Sequence, residues 1–158
     1  MPPESAFDVS AVTPADLADL LPLMRAYCTF YESDPSDDDL RAMSRAFLDE
    51  GAGGTQLIAR DTSGEPLGHA TMLWSWDTTL AQPLAVMEDL FVTARARGRG
   101  VGAALIEACR QLAADRGMQW LAWETAPDNE TAQRLYDGLG AERSTWYAYR
   151  LSTNQSAT

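Results

Sequence analysis

The chain of 158 residues has no lysine, one histidine and two cysteines. Without lysine no ε-amine can serve as a general base or form a Schiff base, and every basic side chain is an arginine. The single histidine, His69, follows Gly68 in a strand-like segment with no identifiable partner, so it heads no Ser-His-Asp arrangement and reads as structural. Cys28 and Cys109 lie in helical-looking segments with neither metal spacing nor a disulfide framework; they read as ordinary buried thiols, and no metal is expected. No apolar run approaches the roughly 18 residues of a membrane span. No basic residue precedes Arg25, so the charged start of a signal peptide is missing and a cytoplasmic location is expected. Positive charge is scarce as well. With 23 Asp and Glu against 12 basic residues the net charge is −11, which repels nucleic-acid phosphates and suits a small cation better.

What is present predicts one globular domain over residues 1–151 with a tail at 152–158, since 46% of the chain is hydrophobic. Residues 7–13 alternate as a first strand, and Thr13-Pro14 opens a helix with apolar residues at Leu17, Leu20, Leu21, Met24, Tyr27, Cys28 and Tyr31. Pro22 is expected to kink or restart it. Ser36, three residues before Asp39, caps a second helix whose stripe is Leu40, Met43, Phe47 and Leu48. Segments 55–60, 67–76 and 83–93 read as a three-stranded antiparallel meander. A helix after residue 100, a strand at 119–125, a helix at 129–140 and a last strand at 144–151 complete the pattern.

One stretch departs from the acidic background. In residues 88–110, EDLFVTARARGRGVGAALIEACR, Arg95, Arg97 and Arg99 alternate with residues that include Gly98, and Gly100 and Gly102 follow. The run leaves a strand and opens a helix. Exposed amides at a helix N-terminus, helped by the helix dipole, form an anion site, and glycine lets a phosphate approach the backbone closely. A P-loop is excluded because it needs a lysine, and the third glycine of a dinucleotide fingerprint is replaced by Leu105.

Arg97-Gly98-Arg99-Gly100-Val101-Gly102 resembles the Arg/Gln-x-x-Gly-x-Gly/Ala motif of the Gcn5-related N-acetyltransferases. Downstream, Asn129, Ala132, Leu135, Tyr136, Leu139, Gly140 and Ala141 resemble that family's N-x-x-A-x-x-L-Y helix. Segments 30–40, 74–77, 87–92 and 125–141 extend the likeness, in order, to the diamine (spermidine/spermine) acetyltransferase branch. The resemblance implies an α+β acyl-CoA N-acyltransferase fold, with a central, mostly antiparallel mixed sheet flanked by about four helices. It also implies a homodimer, and acetyl-CoA as cosubstrate. The cosubstrate would be held by the main chain of Leu90, Phe91 and Val92, by the loop Arg97, Gly98, Arg99, Gly100, Val101, Gly102 and Ala103, and by Asn129.

The implied reaction is direct acetyl transfer to a small primary amine, a polyamine or diamine being favoured, with Tyr136 as general acid to the departing thiolate. Glu88 is expected as general base through water. Glu88 and Asp89 sit in an otherwise apolar strand, which is costly unless they are paired or functional. Strand alternation puts them on opposite faces unless a bulge intervenes, so which one faces the acceptor stays open. Tyr31, Glu32 and Asp77, with Trp74 and Trp76, are candidates for contacting a cationic acceptor. An aminoglycoside, an amino acid or a peptide N-terminus remains an alternative acceptor. A catalytically idle acyl-CoA sensor is the alternative from another class.

Overall fold

A computed structural model describes residues 6–154. The chain divides between Ala126 and Pro127 into two compact units. The first holds five strands, β1 (Phe7–Ala11), β2 (Gly54–Asp61), β3 (Pro66–Asp77), β4 (Gln82–Val92) and β5 (Trp120–Ala122), in the sheet order β1-β2-β3-β4-β5. Three helices accompany them: α1 (Leu17–Phe30), α2 (Asp37–Ala46) and α3 (Val101–Asp115). All neighbouring strands are antiparallel except β4 and β5, which are parallel and joined by the α3 crossover. The fold is thus α+β with a mixed, mostly antiparallel sheet, and the meander falls where the alternation placed it.

Each face of the sheet has its own core. On one, Leu20, Leu23 and Met24 of α1 and Leu40 of α2 meet Val12 and Ile58. On the other, Leu105 of α3 packs over Gly68, where an added Cβ would stand 2.4 Å from the Phe91 carbonyl oxygen and 3.3 Å from the Leu105 side chain. Glycine at 68 therefore sets how closely helix and sheet approach. Val101, Leu105, Ile106, Cys109 and Ala113 bury the helix at spacings of three and four. Its end is a Schellman closure: Gly117 has φ +76° and the Met118 amide donates to the Ala113 carbonyl at 2.9 Å.

Three expectations are corrected. α1 does not restart at Pro22 but continues as one helix, because Pro22 and Ala18, whose carbonyl loses its amide partner there, are both exposed where water can take the bond. α2 is shorter than its stripe implied: it stops at Ala46, the Phe47 and Leu48 amides turn back to Ser44 and Arg45, and Ser44 is buried in place of Met43. Its cap is as expected, Ser36 Oγ accepting from the Asp39 amide at 3.1 Å.

The second unit contains α4 (Glu130–Gly138), started by Asn129, whose side-chain oxygen accepts from the Ala132 amide at 3.2 Å. It is closed by Gly140 at φ +76°. The third correction lies here. Residues 141–154 form no strand, and Trp146, Tyr147, Tyr149 and Leu151 are 85–93% exposed. Alternation made the segment strand-like, but a strand needs a hydrogen-bonded neighbour as well as a pattern, and none pairs with it among the described residues. Of the tail at 152–158, residues 155–158 lie outside the described residues.

Candidate active site

The turn between β4 and α3 is shaped by its glycines. After a single 3₁₀ turn at Ala94–Ala96, Gly98 and Gly100 take φ +72° and +86°, a left-handed conformation that costs any residue with a Cβ. Gly100 is also the N-cap of α3. The amides of Val101, Gly102 and Ala103 fall in the first helical turn, where no helical carbonyl precedes them, and they collect the positive end of the dipole. The arginines divide the work. Arg95 pairs with Glu65, Arg97 Nε donates to the Val92 carbonyl at 3.1 Å, and Arg99 has no ion pair among the described residues.

β4 carries two irregularities. Thr71 of β3 pairs with Asp89 and Met72 with Met87, so Glu88 is the extra residue of a β-bulge. On the other side β5 accompanies β4 only over Leu84–Val86, and among the described residues no strand covers the edge beyond. The Thr93 amide donates to Leu67 at 2.9 Å. Alternation therefore turns the main chain of Phe91 toward β3 and that of Leu90 and Val92 toward the open edge. The Val92 carbonyl, reached by Arg97, lies on that edge. Strand splay, bulge and glycine turn thus follow one another within sixteen residues, 87–102.

The bulge resolves the two carboxylates. Asp89, opposite Thr71, lies on the α1 face of the sheet, whereas Glu88 is exposed. Over Asp89 stands Tyr27 of α1, whose hydroxyl lies 3.4 Å from the Glu88 carbonyl oxygen. Burial first, then the Asp89 carboxylate, pushes the Tyr27 phenol well above its usual value, so it remains a proton donor. Tyr31 meets Tyr27 at a tilt of 55° with ring centroids 4.9 Å apart, and Phe30 meets Tyr31 edge-on at 5.1 Å. Glu32 follows with φ +55° and is exposed.

The structure therefore brings Tyr31 and Asp89 into one cluster, beside Glu88 and with Glu32 next along the chain. Asp77 is elsewhere. It lies six residues along β3 from Thr71, roughly 20 Å away, and its carboxylate accepts from the Thr79 hydroxyl and the Thr79 and Leu80 amides within the β3–β4 hairpin. Those bonds hold its pKa low. Trp74 lies under the Arg116 guanidinium at 4.3 Å, a cation–π contact within the protein, and Trp76 is exposed near the hairpin. Tyr136 is half-buried on α4, two turns beyond Asn129. Sequence reasoning did not single out Tyr27; its place four residues before Tyr31, on one helix face, was the available signal.

Cys109 offers no nucleophile: it is buried and its thiol is pushed up to about 12. Among the described residues no group of three or more His, Cys, Asp or Glu could hold a metal, and no helix is long and apolar enough to cross a membrane.

This mixed sheet, with its bulged strand and glycine turn into a helix, is the acyltransferase fold. Residues 18–141 match the acetyltransferase (GNAT) family, and the chain belongs to it. It is an enzyme, an N-acetyltransferase. Among curated relatives, a thialysine N-ε-acetyltransferase of Bos taurus is 27% identical over 150 residues, covering 85% of this chain and 86% of its own. A D-amino-acid N-acetyltransferase of Saccharomyces cerevisiae is 30% identical over 129 residues, covering 81% and 80%. Among solved structures, an aminoglycoside N-acetyltransferase in complex with CoA superposes with a TM-score of 0.83 at 23% identity, covering 98% of this chain and 99% of its own.

Proposed function

We propose that the enzyme transfers the acetyl group of acetyl-CoA directly to a small primary amine, with a cationic, polyamine- or diamine-like acceptor favoured. The observation that carries this reading is the open β4 edge running from the Glu88 bulge to the glycine turn. A pantetheine arm laid along it bonds the outward main chain of Leu90 and Val92, as an added strand would, and ends with its pyrophosphate on the amides of residues 98–103. The thioester is then held at the bulge, beside Asp89, Tyr27 and Tyr31. The relatives that act on thialysine and D-amino acids, and the CoA-bound aminoglycoside acetyltransferase, support a small amine as acceptor without choosing among such amines.

In the proposed mechanism Glu88 accepts a proton from the ammonium through water, leaving a neutral nitrogen to attack the thioester carbonyl carbon. The carbonyl electron pair moves onto oxygen, where an outward β4 amide stabilises it. Collapse restores the carbonyl, breaks the C–S bond and expels CoA thiolate, which takes its proton from the Tyr136 hydroxyl, and the second proton, shed by the attacking nitrogen, passes through water to restore the phenol. Asp89 and the Tyr27–Tyr31 pair hold the positive charge of the acceptor by ion pairing and cation–π contact. The protein is a cytoplasmic homodimer in this reading.

The test is release of CoA thiol from acetyl-CoA with spermidine, putrescine, thialysine, an aminoglycoside, a D-amino acid and a short peptide compared side by side. Turnover with the polyamines above the rest supports the favoured acceptor. Turnover confined to the aminoglycoside, the amino acid or the peptide moves the assignment there. Tight acetyl-CoA binding with no turnover on any amine defeats the reading.

A further inference from the structure

His69 is the single histidine of the chain and is fully buried on the α1 face of β3. The Tyr27 ring meets it edge-on at 6.1 Å, Phe91 lies 6.2 Å away on β4, and its cross-strand neighbour on β2 is Ile58. Neither ring nitrogen has a hydrogen-bond partner in the protein. A neutral imidazole carries one donor and one acceptor, and leaving both unmade in a buried slot is a cost that phenylalanine would avoid while filling the same space between two rings. Burial holds the ring neutral, moving its pKa down to about 4, while the nearby Asp89 carboxylate pulls the other way. Asp89 and Tyr27 are thus the titratable groups facing it, from β4 and α1, and both belong to the proposed acceptor cluster.

We infer that His69 is a positioning residue for the acceptor: through a bridging water, its imidazole holds the Asp89 carboxylate and the Tyr27 hydroxyl in the arrangement that receives the amine. A water bonded to one ring nitrogen is stable there only if it has further polar partners, and Asp89 and Tyr27 are the ones at hand. The inference rests on the acceptor site proposed above. It assigns His69 no proton to transfer; its effect falls on amine affinity.

His69→Phe keeps the aromatic slot and removes both polar positions, whereas His69→Gln keeps a donor and an acceptor. With the panel amine that turns over fastest, His69→Phe is expected to raise the amine KM about tenfold, the scale of one lost buried hydrogen bond. The acetyl-CoA KM is expected to stay unchanged, and His69→Gln to recover most of the loss. A folded His69→Phe enzyme with unaltered amine KM overturns the inference. A readout independent of turnover comes from ¹⁵N-histidine labelling, since one histidine gives one imidazole. Its nitrogen shifts are expected to report the neutral ring and to move in Asp89→Asn; shifts indifferent to Asp89→Asn refute the coupling. Absence of turnover by the wild type on every amine counts against the acetyl-transfer reading alone, because the labelled spectra still decide the His69–Asp89 link.

Discussion

Glu88 and Asp89 are neighbours in sequence with unlike surroundings, and the difference comes from one extra residue in a strand. The bulge leaves Glu88 exposed to water and puts Asp89 beneath a tyrosine pair. Two carboxylates in an apolar strand point to function by themselves, but which one faces the acceptor is not legible in the sequence, because period-two reasoning cannot locate an insertion. Tyr136 is legible only through its motif. Tyr136→Phe is expected to lower kcat by about 10²-fold or more, the usual contribution of a positioned acid. Acetyl-CoA affinity, measured by calorimetry, should not change. His69 adds a pH dependence of its own. Its folded pKa of about 4 lies below the ordinary histidine value of 6.5, so the unfolded chain takes up a proton that the folded one refuses. Stability is therefore expected to fall as pH drops from about 6.5 towards 4. Asp16, held low first by its Thr13 hydrogen bond and further by Arg60, loses its contribution only at lower pH still, as it protonates. Urea midpoints at pH 7, 5.5 and 4.5 should show a shallower slope between 7 and 5.5 for His69→Phe than for the wild type.

Elements are read best where their signals are local. The Ser36 cap, the meander and the glycine turn all follow from residues within a few positions of one another. Pro22 misleads because its cost depends on where the orphaned carbonyl points, which is a matter of tertiary packing. Residues 144–151 mislead because alternation describes a strand's faces and says nothing of its edges. At the glycine turn the cost of a side chain is conformational: a Cβ on Gly98 meets nothing within 4 Å, and one on Gly100 meets only the Phe7 ring at 3.8 Å. Gly98→Ala and Gly100→Ala should each destabilise by roughly 1–2 kcal/mol through the left-handed φ alone. Both should weaken acetyl-CoA binding, while Gly64→Ala, at a similar φ of +87° in the β2–β3 turn, should cost stability without touching affinity. Thermal melts with and without acetyl-CoA separate the two effects.

For the whole molecule, charge is the property that composition reports most directly. A net −11 over 158 residues favours the proposed cationic acceptor, while a phosphate on the glycine turn, as proposed, needs the opposite sign. Arg97 and Arg99 flank that turn within a protein that is otherwise short of cations. Opposite salt responses should follow. Raising ionic strength from about 0.02 to about 0.3 M shortens the screening length to well under 10 Å, so the KM for a polycationic amine should rise several-fold. The KM for a zwitterionic amino acid should barely move. Steady-state kinetics at fixed acetyl-CoA would show it, and equal salt responses for both acceptors would argue against an electrostatic role for the acidic surface.

The uncovered stretch of β4 has a second side. Its main chain from Met87 to Val92 has no strand on its outer side among the described residues, and Leu90, Phe91 and Val92 make that stretch sticky. Such an edge is a template on which a second molecule can begin a fibril. Its defence is the feature that shapes the site: the bulge breaks the flatness that stacking requires and places the Glu88 charge where an incoming strand would lie. Glu88 would thus act as a gatekeeper besides serving as the proposed base, and a Glu88→Ala enzyme is expected to be short-lived in concentrated solution for reasons unrelated to turnover.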